Sequence, residues 1–547
     1  MDTQRMFLAI FLSLAILLGY QYFFVPPPPP VTESSVASSP QNSKVEEKNL
    51  ANLPVPVDAA SLSAVAQPVN AVVRQGREIP VTTSLYSAVV TESGGMVKSF
   101  QLQDYREALA KDSGKKELLQ PKPGDNLPLN FSWGIEPGSI PPVVYEAVPL
   151  KAEQGGAVLA MRGKLPSGLE IVRTMRFLEQ KYLLELTVEV INTTATPLQG
   201  APYLTLDNRP FVKENGMVVV GPAVLRDGVL EEIKADDLKK GSKSFTGKIG
   251  WAAYEDNYFF CGIVPLTGAQ HTAHFSLQDE NRVTTVLAGA SEVIGPGQRQ
   301  QYTYSVYFGP KTMEALKAAG HELERSINFG WFDVMAKPTL YLLNFLHGYV
   351  GNYGLAIILV TVLIKLLFWP ISQKGMKSMK TMQKLQPKMA KLREKYKDDK
   401  QQQQQEMIKL YQTYKVNPVG GCLPMVIQIP VFFALYKVLL QTIELRHAPF
   451  FLWIADLSAP DRLFVGLDLP YIGGIPVLTL LMGGTMFLQQ KMTPATGDPT
   501  QQKVMMFMPV IFTFMFLNFA SGLVLYWFIN NLLSIGQQYL VNRHDAV

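Results

Sequence analysis

Residues 504–541 form a stretch of 38 residues without a single Asp, Glu, Lys or Arg. As one helix that run would extend about 57 Å, nearly twice the ~30 Å hydrocarbon core of a bilayer. Water offers no fold for so long an uncharged segment, and one crossing cannot use all of it. It divides naturally at Asn518-Phe519-Ala520-Ser521-Gly522, where turn-forming residues separate two helical halves. Further apolar runs lie at 6–24, 353–369, 419–440 and 471–488. With the final pair at 504–518 and 522–541, the chain is expected to cross a membrane six times. The average composition, 47% hydrophobic and 17% charged, hides this division, because charge is concentrated between the runs. Two cysteines, Cys261 and Cys422, exclude a disulfide scaffold.

Orientation follows from charge. Residues 371–416 carry twelve Lys and Arg against Glu394, Asp398, Asp399 and Glu406, so this segment is expected in the cytoplasm. The loop 441–470 carries Arg446 and Arg462 against Glu444, Asp456, Asp461 and Asp468, and is expected outside. Six crossings then place both termini in the cytoplasm. The run 6–24 has Arg5 before it and the aromatic residues Tyr20, Tyr22, Phe23 and Phe24 at its end. It reads as an uncleaved anchor within 1–25, since its apolar stretch exceeds that of a signal peptide and no small-x-small site precedes Pro26.

Residues 26–80, rich in Pro, Ser, Ala and Val, read as a disordered tether. From 81 to 330 the pattern alternates. Leu169–Leu178, 182–191, 283–287 and 302–308 read as strands, punctuated by turns such as Ser93-Gly94-Gly95 and Gly295-Pro296-Gly297. An exported all-β sandwich is expected, followed by helical spacing over 312–327. Residues 331–350, with Trp331, Phe332, Leu340, Leu343, Phe345 and Leu346, suggest an amphipathic helix on the outer membrane surface. His271 and His274 lack an accompanying Cys or acid at metal spacing and read as strand or surface residues. Cys261, after Tyr258-Phe259-Phe260, reads as core. No nucleophile elbow, phosphate loop or metal motif is present, so no enzyme, cofactor or metal is expected.

The cytoplasmic segment 372–416 reads as a helical hairpin. Met382, Leu385, Met389, Leu392 and Tyr396 form a heptad seam, which Pro387 is expected to kink. Lys397-Asp398-Asp399-Lys400 is a turn, and Met407, Leu410, Tyr411 and Tyr414 give the second helix an apolar face. Lys377, Lys380, Lys384 and Lys388 crowd the first helix. From pattern alone they serve equally as a dock for ribosomal RNA or anionic lipid headgroups and as a solvated topology signal.

Polar residues inside the apolar runs are the sharpest functional signal. Lys365 lies within 353–369 with Thr361 four residues before it on the same face. An ionisable residue there marks a functional site, although a lysine five residues from the cytoplasmic end also snorkels to the headgroups. Gln428 sits between Pro424 and Pro430, and Tyr526, Asn530, Ser534 and Gln537 make one polar stripe. Together these line a wet cavity, or serve as interhelical hydrogen bonds. No run contains Asp or Glu and no two-half repeat is visible, which leaves an ion or solute transporter as the lesser alternative. Thirteen of the 21 methionines fall between Met376 and Met515, a surface suited to unrelated apolar partners.

Val416-Asn417-Pro418-Val419-Gly420-Gly421-Cys422-Leu423-Pro424 and Gln428-Ile429-Pro430-Val431-Phe432 closely resemble the third span of the YidC/Oxa/Alb membrane protein insertases. Glu444-Leu445-Arg446-His447-Ala448-Pro449-Phe450 with Leu452-Trp453-Ile454 resembles their next loop. Phe507-Met508-Pro509-Val510-Ile511-Phe512 and Ser521-Gly522-Leu523-Val524-Leu525-Tyr526-Trp527 resemble their last two spans. The anchor and large exported domain match the Gram-negative type by architecture. This resemblance implies a five-helix insertase core over 351–541, a β-supersandwich outside, and a tail at 542–547. It implies a groove lined by Lys365, Thr361, Gln428, Tyr526, Trp527 and Asn530, and a hairpin that meets substrate, ribosome or targeting factors through Lys377, Lys380, Lys384, Lys388, Met382 and Met389. Implied partners are nascent membrane proteins, the Sec translocon, the ribosome, the signal recognition particle receptor and membrane lipids, at a Gram-negative inner membrane. Two departures stand out. The groove cation is Lys365 where the type usually has Arg, which keeps charge and loses bidentate geometry. The short tail leaves ribosome contact to the hairpin and the loop 489–503.

Overall fold

The computed structural model describes residues 76–110, 112–137, 143–165, 167–211, 220–279, 281–397, 399–414, 423–466, 473–493 and 499–544. The expected anchor 1–25, nearly all of the tether, and the motif around Cys422 lie outside these residues. The chain divides into two compact units, one holding 343–432 and 460–547, the other 53–342 and 433–459.

The second unit is built from three antiparallel sheets of four, ten and six strands. The ten-stranded sheet shows how side-chain parity selects the core. Leu183–Asn192 pairs with Leu169–Leu178 on one side and Arg299–Pro310 on the other. Leu186 and Val188 are buried while Glu185 and Glu189 are not, as a period of two requires when one face is covered. Phe259–Pro265 and Val283–Ala288 are buried at every position, so both faces of those strands are covered and alternation disappears. Trp251 meets Phe260 edge-on at 5.2 Å between centroids, and Phe260 meets Tyr307 at 5.9 Å. Such aromatic geometry adds to what area burial alone supplies. The four strands read from sequence are all present, Leu169–Leu178 with the same ends and the others within three residues.

Beyond the sheets, helix α1 (Met313–Ala319) starts at Thr312, whose Oγ1 accepts the Ala315 N–H at 3.1 Å. The expected helical stretch 312–327 is interrupted here. Gly320 has φ of 79° and His321 and Glu322 both have 56°, so the chain turns through the left-handed region before a single 3-10 turn at Leu323–Ser326. Helix α2 (Asp333–Val350) follows, with Asp333 accepting the Phe329 N–H at 2.7 Å. Ala336, Leu340 and Leu343 are buried while Val334, Phe345 and Tyr349 are exposed.

In the first unit, helix α3 (Tyr353–Lys395) runs unbroken for 43 residues, capped by Asn352 on the Leu355 N–H at 3.1 Å. The kink expected at Pro387 does not end it, and neither does Pro370. An internal proline removes one hydrogen bond, and flanks of Met, Lys, Leu and Gln hold the helix on either side. Helix α4 (Lys400–Thr413) begins at Asp399, which accepts the Gln402 N–H at 2.9 Å. Met382, Leu385 and Met389 of α3 pack against Met407, Leu410 and Tyr411 of α4, closing the hairpin on the heptad seam.

The remaining helices are α5 (Leu423–Gln441), α6 (Val477–Met492), α7 (Pro499–Phe516) and α8 (Ser521–His544). The last apolar run divides where its turn residues lie, with the Phe519 N–H bonded to the Phe516 carbonyl at 3.1 Å. Helix α8 packs on α6 and α3, and α7 packs on α6. A Cβ on Gly483 would fall 2.1 Å from Thr513 Oγ1, so only glycine allows the α6–α7 approach. Among the described residues α3 contains an 18-residue window of mean hydropathy 2.4, and Ile427–Gln441 and Met505–Phe516 are shorter apolar helices.

Candidate functional site

Helix periodicity brings the lysine of the apolar run 353–369 to a polar seam between α3 and α8. Lys365 Nζ donates to Ser534 Oγ at 2.7 Å and to Asn530 Oδ1 at 3.4 Å. Seven residues on, two turns along the same face, Ser372 Oγ donates to Gln537 Oε1 at 3.1 Å. Gln537 Nε2 donates in turn to the Trp369 carbonyl at 3.3 Å. Lys365 and Asn530 line a cleft of about 30 Å³ with Ser372, Gln428, Ile364 and Phe368, room for a water. Tyr526, buried on α8, is hydrogen-bonded to Gln428 of α5. Polar groups from three helices therefore meet around one cation, and among the described residues no carboxylate lines the cleft.

Lys365, Gln428, Asn530 and Tyr526 are brought together. Thr361 and Trp527 are not. Thr361 is buried, but its Oγ1 donates to the Ile357 carbonyl one turn back at 2.6 Å, so it serves its own helix. Trp527 sits in an aromatic cluster with Phe432 at 4.7 Å, Phe516 at 5.1 Å and Phe512 at 6.0 Å. Tyr526 stacks on the same Phe432 ring at 6.5 Å, so that ring joins the cluster to the seam. Ser372 escaped the sequence reading because the apolar run ends before it; its spacing of seven from Lys365 was the available signal.

In the hairpin, Lys377, Lys384 and Lys388 are exposed and Lys380 is half-buried, its Nζ 3.2 Å from the Asn542 carbonyl. Lys388 bonds the Tyr414 hydroxyl and lies 4.4 Å from that ring's centroid. Met382 and Met389 face inward between the two helices. The exposed face of the hairpin is basic, and those two methionines form its core.

The exported region's histidines both sit in strand His271–Leu277 and are buried. At i and i+3 in a strand they point to opposite faces. His274 Nδ1 contacts Ser244 Oγ at 2.8 Å, His271 Nδ1 contacts the Ala269 carbonyl at 2.9 Å, and burial lowers both pKa values. Among the described residues no group of three His, Cys, Asp or Glu is placed to hold a metal. Cys261 is fully buried, which pushes its thiol pKa up and removes it from reach.

Two family profiles match the chain. That described as 60Kd inner membrane protein covers residues 345–546, and that described as YidC periplasmic domain covers 78–342. A protein of Syntrophus aciditrophicus (strain SB) named Membrane protein insertase YidC is 44% identical over 565 aligned residues, 99% of this chain and all of its own. One of the same name from Syntrophobacter fumaroxidans (strain DSM 10017 / MPOB) is 39% identical over 84% of this chain and 85% of its own. A crystal structure of an active YidC insertase with its first transmembrane domain resolved aligns over 87% of this chain and 95% of its own at 18% identity. Its TM-score of 0.36 is too loose to bear on the argument.

Proposed function

The chain belongs to the family of YidC membrane protein insertases, and we propose that it inserts newly made integral membrane proteins through the polar seam around Lys365. It is an inner membrane protein with a periplasmic β-sandwich domain, and it is an insertase and chaperone, not an enzyme. The observation that carries the groove reading is the hydrogen bonding of the Lys365 ammonium to α8, instead of extension toward the headgroups. The transporter alternative has no carboxylate in the apolar runs to carry a coupled proton or sodium ion.

The mechanism follows from electrostatics. Moving a charged substrate tail across hydrocarbon costs about 3 kcal/mol or more per charge. A cation held part-way into the bilayer with a water-sized cleft beside it shortens the dry path and attracts an acidic tail. The substrate's apolar helix then partitions into lipid at about 25 cal/mol per Å² buried. The membrane potential contributes about 2.3 kcal/mol per charge per 100 mV. Lys365, Gln428, Asn530 and Tyr526 line this path; Thr361 and Trp527 support it by packing. The basic hairpin face, with Lys377, Lys380, Lys384 and Lys388, receives ribosome, signal recognition particle receptor or anionic lipid, and the Sec translocon is a further partner for long substrates.

The topology proposed with this function has a 1–25 anchor, a 26–80 tether, a periplasmic domain over 81–330, an interfacial helix over 331–350 and an insertase core over 351–541. The tail 542–547 and the N-terminus are both cytoplasmic. Insertion into liposomes by the purified protein tests the function, using a short acidic-tailed substrate scored by protease protection. Wild type and Lys365→Arg insert; Lys365→Ala loses at least about tenfold, one lost charge interaction of about 1.4 kcal/mol or more. Normal insertion by Lys365→Ala would show that charge in the seam is not what moves the tail.

A further inference from the structure

A second cavity, of about 140 Å³, lies wholly within the periplasmic unit and has nothing to do with the lysine seam. Its walls come from strand Ile249–Glu255, the segment after Arg299–Pro310, helix α2 and the end of α5. The lining is chemically uneven. Glu255 and Thr442 are both more than nine-tenths buried, and Thr442 Oγ1 is buried without a hydrogen-bond partner. Lys311 Nζ pairs with Glu255 Oε2 at 2.9 Å, but Glu232 and Glu444 line the cavity too, so three carboxylates face two lysines there. Lys437 also lines the cavity, and it makes no ion pair or hydrogen bond with the described residues. Phe329 and Leu340 supply an apolar wall.

An excess of carboxylate and a buried, unpartnered hydroxyl call for a cationic donor, and an unpaired lysine calls for an anion. A ligand satisfying both carries N–H donors and a negative group a few ångströms apart, with an apolar flank. We propose that this cavity binds the head group of a primary-amine phospholipid, its ammonium donating to Glu255 and Thr442 and its phosphate facing Lys437. Lys437 lies four residues before the end of α5, and Leu340 lies on α2. The inference rests on the topology proposed above in placing both at the outer leaflet. A trimethylammonium head group has no N–H to donate, and a glycerol head group has no positive charge to meet Glu255. The site therefore separates amine lipids from both. Burial pushes the Glu255 carboxyl up to about 7, against the pull of Lys311, so a bound ammonium would favour its charged form.

Native mass spectrometry of the full chain in detergent tests this, with dihexanoyl phosphatidylethanolamine, phosphatidylcholine and phosphatidylglycerol as probes. The ethanolamine lipid is expected to bind about tenfold tighter than the other two, and Thr442→Val and Lys437→Met to remove most of that preference. Thr442→Val keeps side-chain size, so a melting curve equal to wild type separates lost binding from lost folding. Equal binding of the three lipids, or an unchanged preference in both variants, overturns the proposal. Binding of soluble glycerophosphoethanolamine as tight as that of the lipid overturns the membrane source of the head group. A protein that binds the amine lipid and inserts nothing would sink the insertase reading alone. Failure of Ser458→Cys to label from outside the cell would sink the topology alone.

Discussion

The ammonium of Lys365 donates to the hydroxyl of Ser534 at 2.7 Å, joining the two helices that flank the seam. Asn530 is a longer, second acceptor at 3.4 Å. Ser534→Ala leaves the lysine with the weaker partner and removes a hydrogen bond to a charged group, worth about 1.5–3 kcal/mol. The expected result is a lower melting temperature in detergent. A double-mutant cycle with Lys365→Met should give a coupling of at least about 1 kcal/mol. Additive losses would mean that the two side chains do not act together.

Arg173 provides a second test, in the periplasmic sandwich. It is wholly buried with no carboxylate partner among the described residues, and donates instead to the Gly94 and Leu129 carbonyls, each at 2.8 Å. Gly94 and Gly95 both have positive φ, and a Cβ on Gly95 would come within 3.1 Å of the Arg173 side chain. The turn thus wraps a cation whose pKa burial lowers. Arg173→Met keeps the length and abandons both carbonyls, at a cost of about 2–4 kcal/mol. Chemical denaturation followed by tryptophan fluorescence reads the loss; an unchanged midpoint would show that water replaces the guanidinium.

Three buried carboxyls set an expected pH dependence. Burial raises Asp207 and Asp256 to about 6 and Glu255 to about 7. A carboxyl with a raised folded pKa binds its proton more tightly when folded, so its contribution is complete at low pH and is lost as pH rises through the folded value. From these groups the periplasmic unit loses stability between about pH 4.5 and 7. Glu92 and Asp125, whose pKa values are lowered chiefly by hydrogen bonds to Arg77 and to the Lys122 N–H, act with opposite sign and only below about pH 4. Burial lowers His271 and His274, which lose stability as pH falls through the histidine range and so oppose the carboxyls there. The carboxyl share is read by difference: the change in melting temperature from pH 5 to pH 8 should be more positive in Asp207→Asn than in wild type, and equal changes would contradict the assignment.

The hairpin has a small core, so one truncation should loosen all of it. Leu385 is 3% exposed and packs with Met382 and Met389 against α4. Leu385→Ala costs about 2–5 kcal/mol in a filled core. Hydrogen exchange should then quicken along Lys400–Thr413 while the sandwich strands stay protected. Protection of α4 equal to wild type would mean that its packing does not depend on Leu385.

Parity and periodicity made much of this legible. Leu169, Ile171, Arg173, Met175 and Phe177 alternate toward one buried face of a strand that the sequence marks, and Arg173 shares that parity. What parity cannot show is that two carbonyls from distant turns wait there. The hairpin seam was likewise visible as a heptad, whereas the fate of Pro387 was not, because one lost hydrogen bond competes with the packing of a whole helix. At the seam, the four-residue spacing of the α8 stripe located the partners of Lys365. Thr361 shares the lysine's face but spends its hydroxyl on its own backbone, a choice of rotamer that spacing does not encode. Trp527 and Tyr526 meet on the shared Phe432 ring, a bridge between helices that spacing along one helix does not show.

The unbroken helix Tyr353–Lys395 also has a mechanical consequence. Lys365 stands about 18 Å from its start and about 45 Å from its far end, so the shaft is a lever with the lysine on the short arm. Pro370 and Pro387 each lack the N–H that would tie one turn to the previous one. Bending stiffness is lowest at those two points, both on the long arm. A load applied at the hairpin is taken up as flexure beyond residue 370, and the short arm, where Lys365 holds Ser534, keeps its alignment.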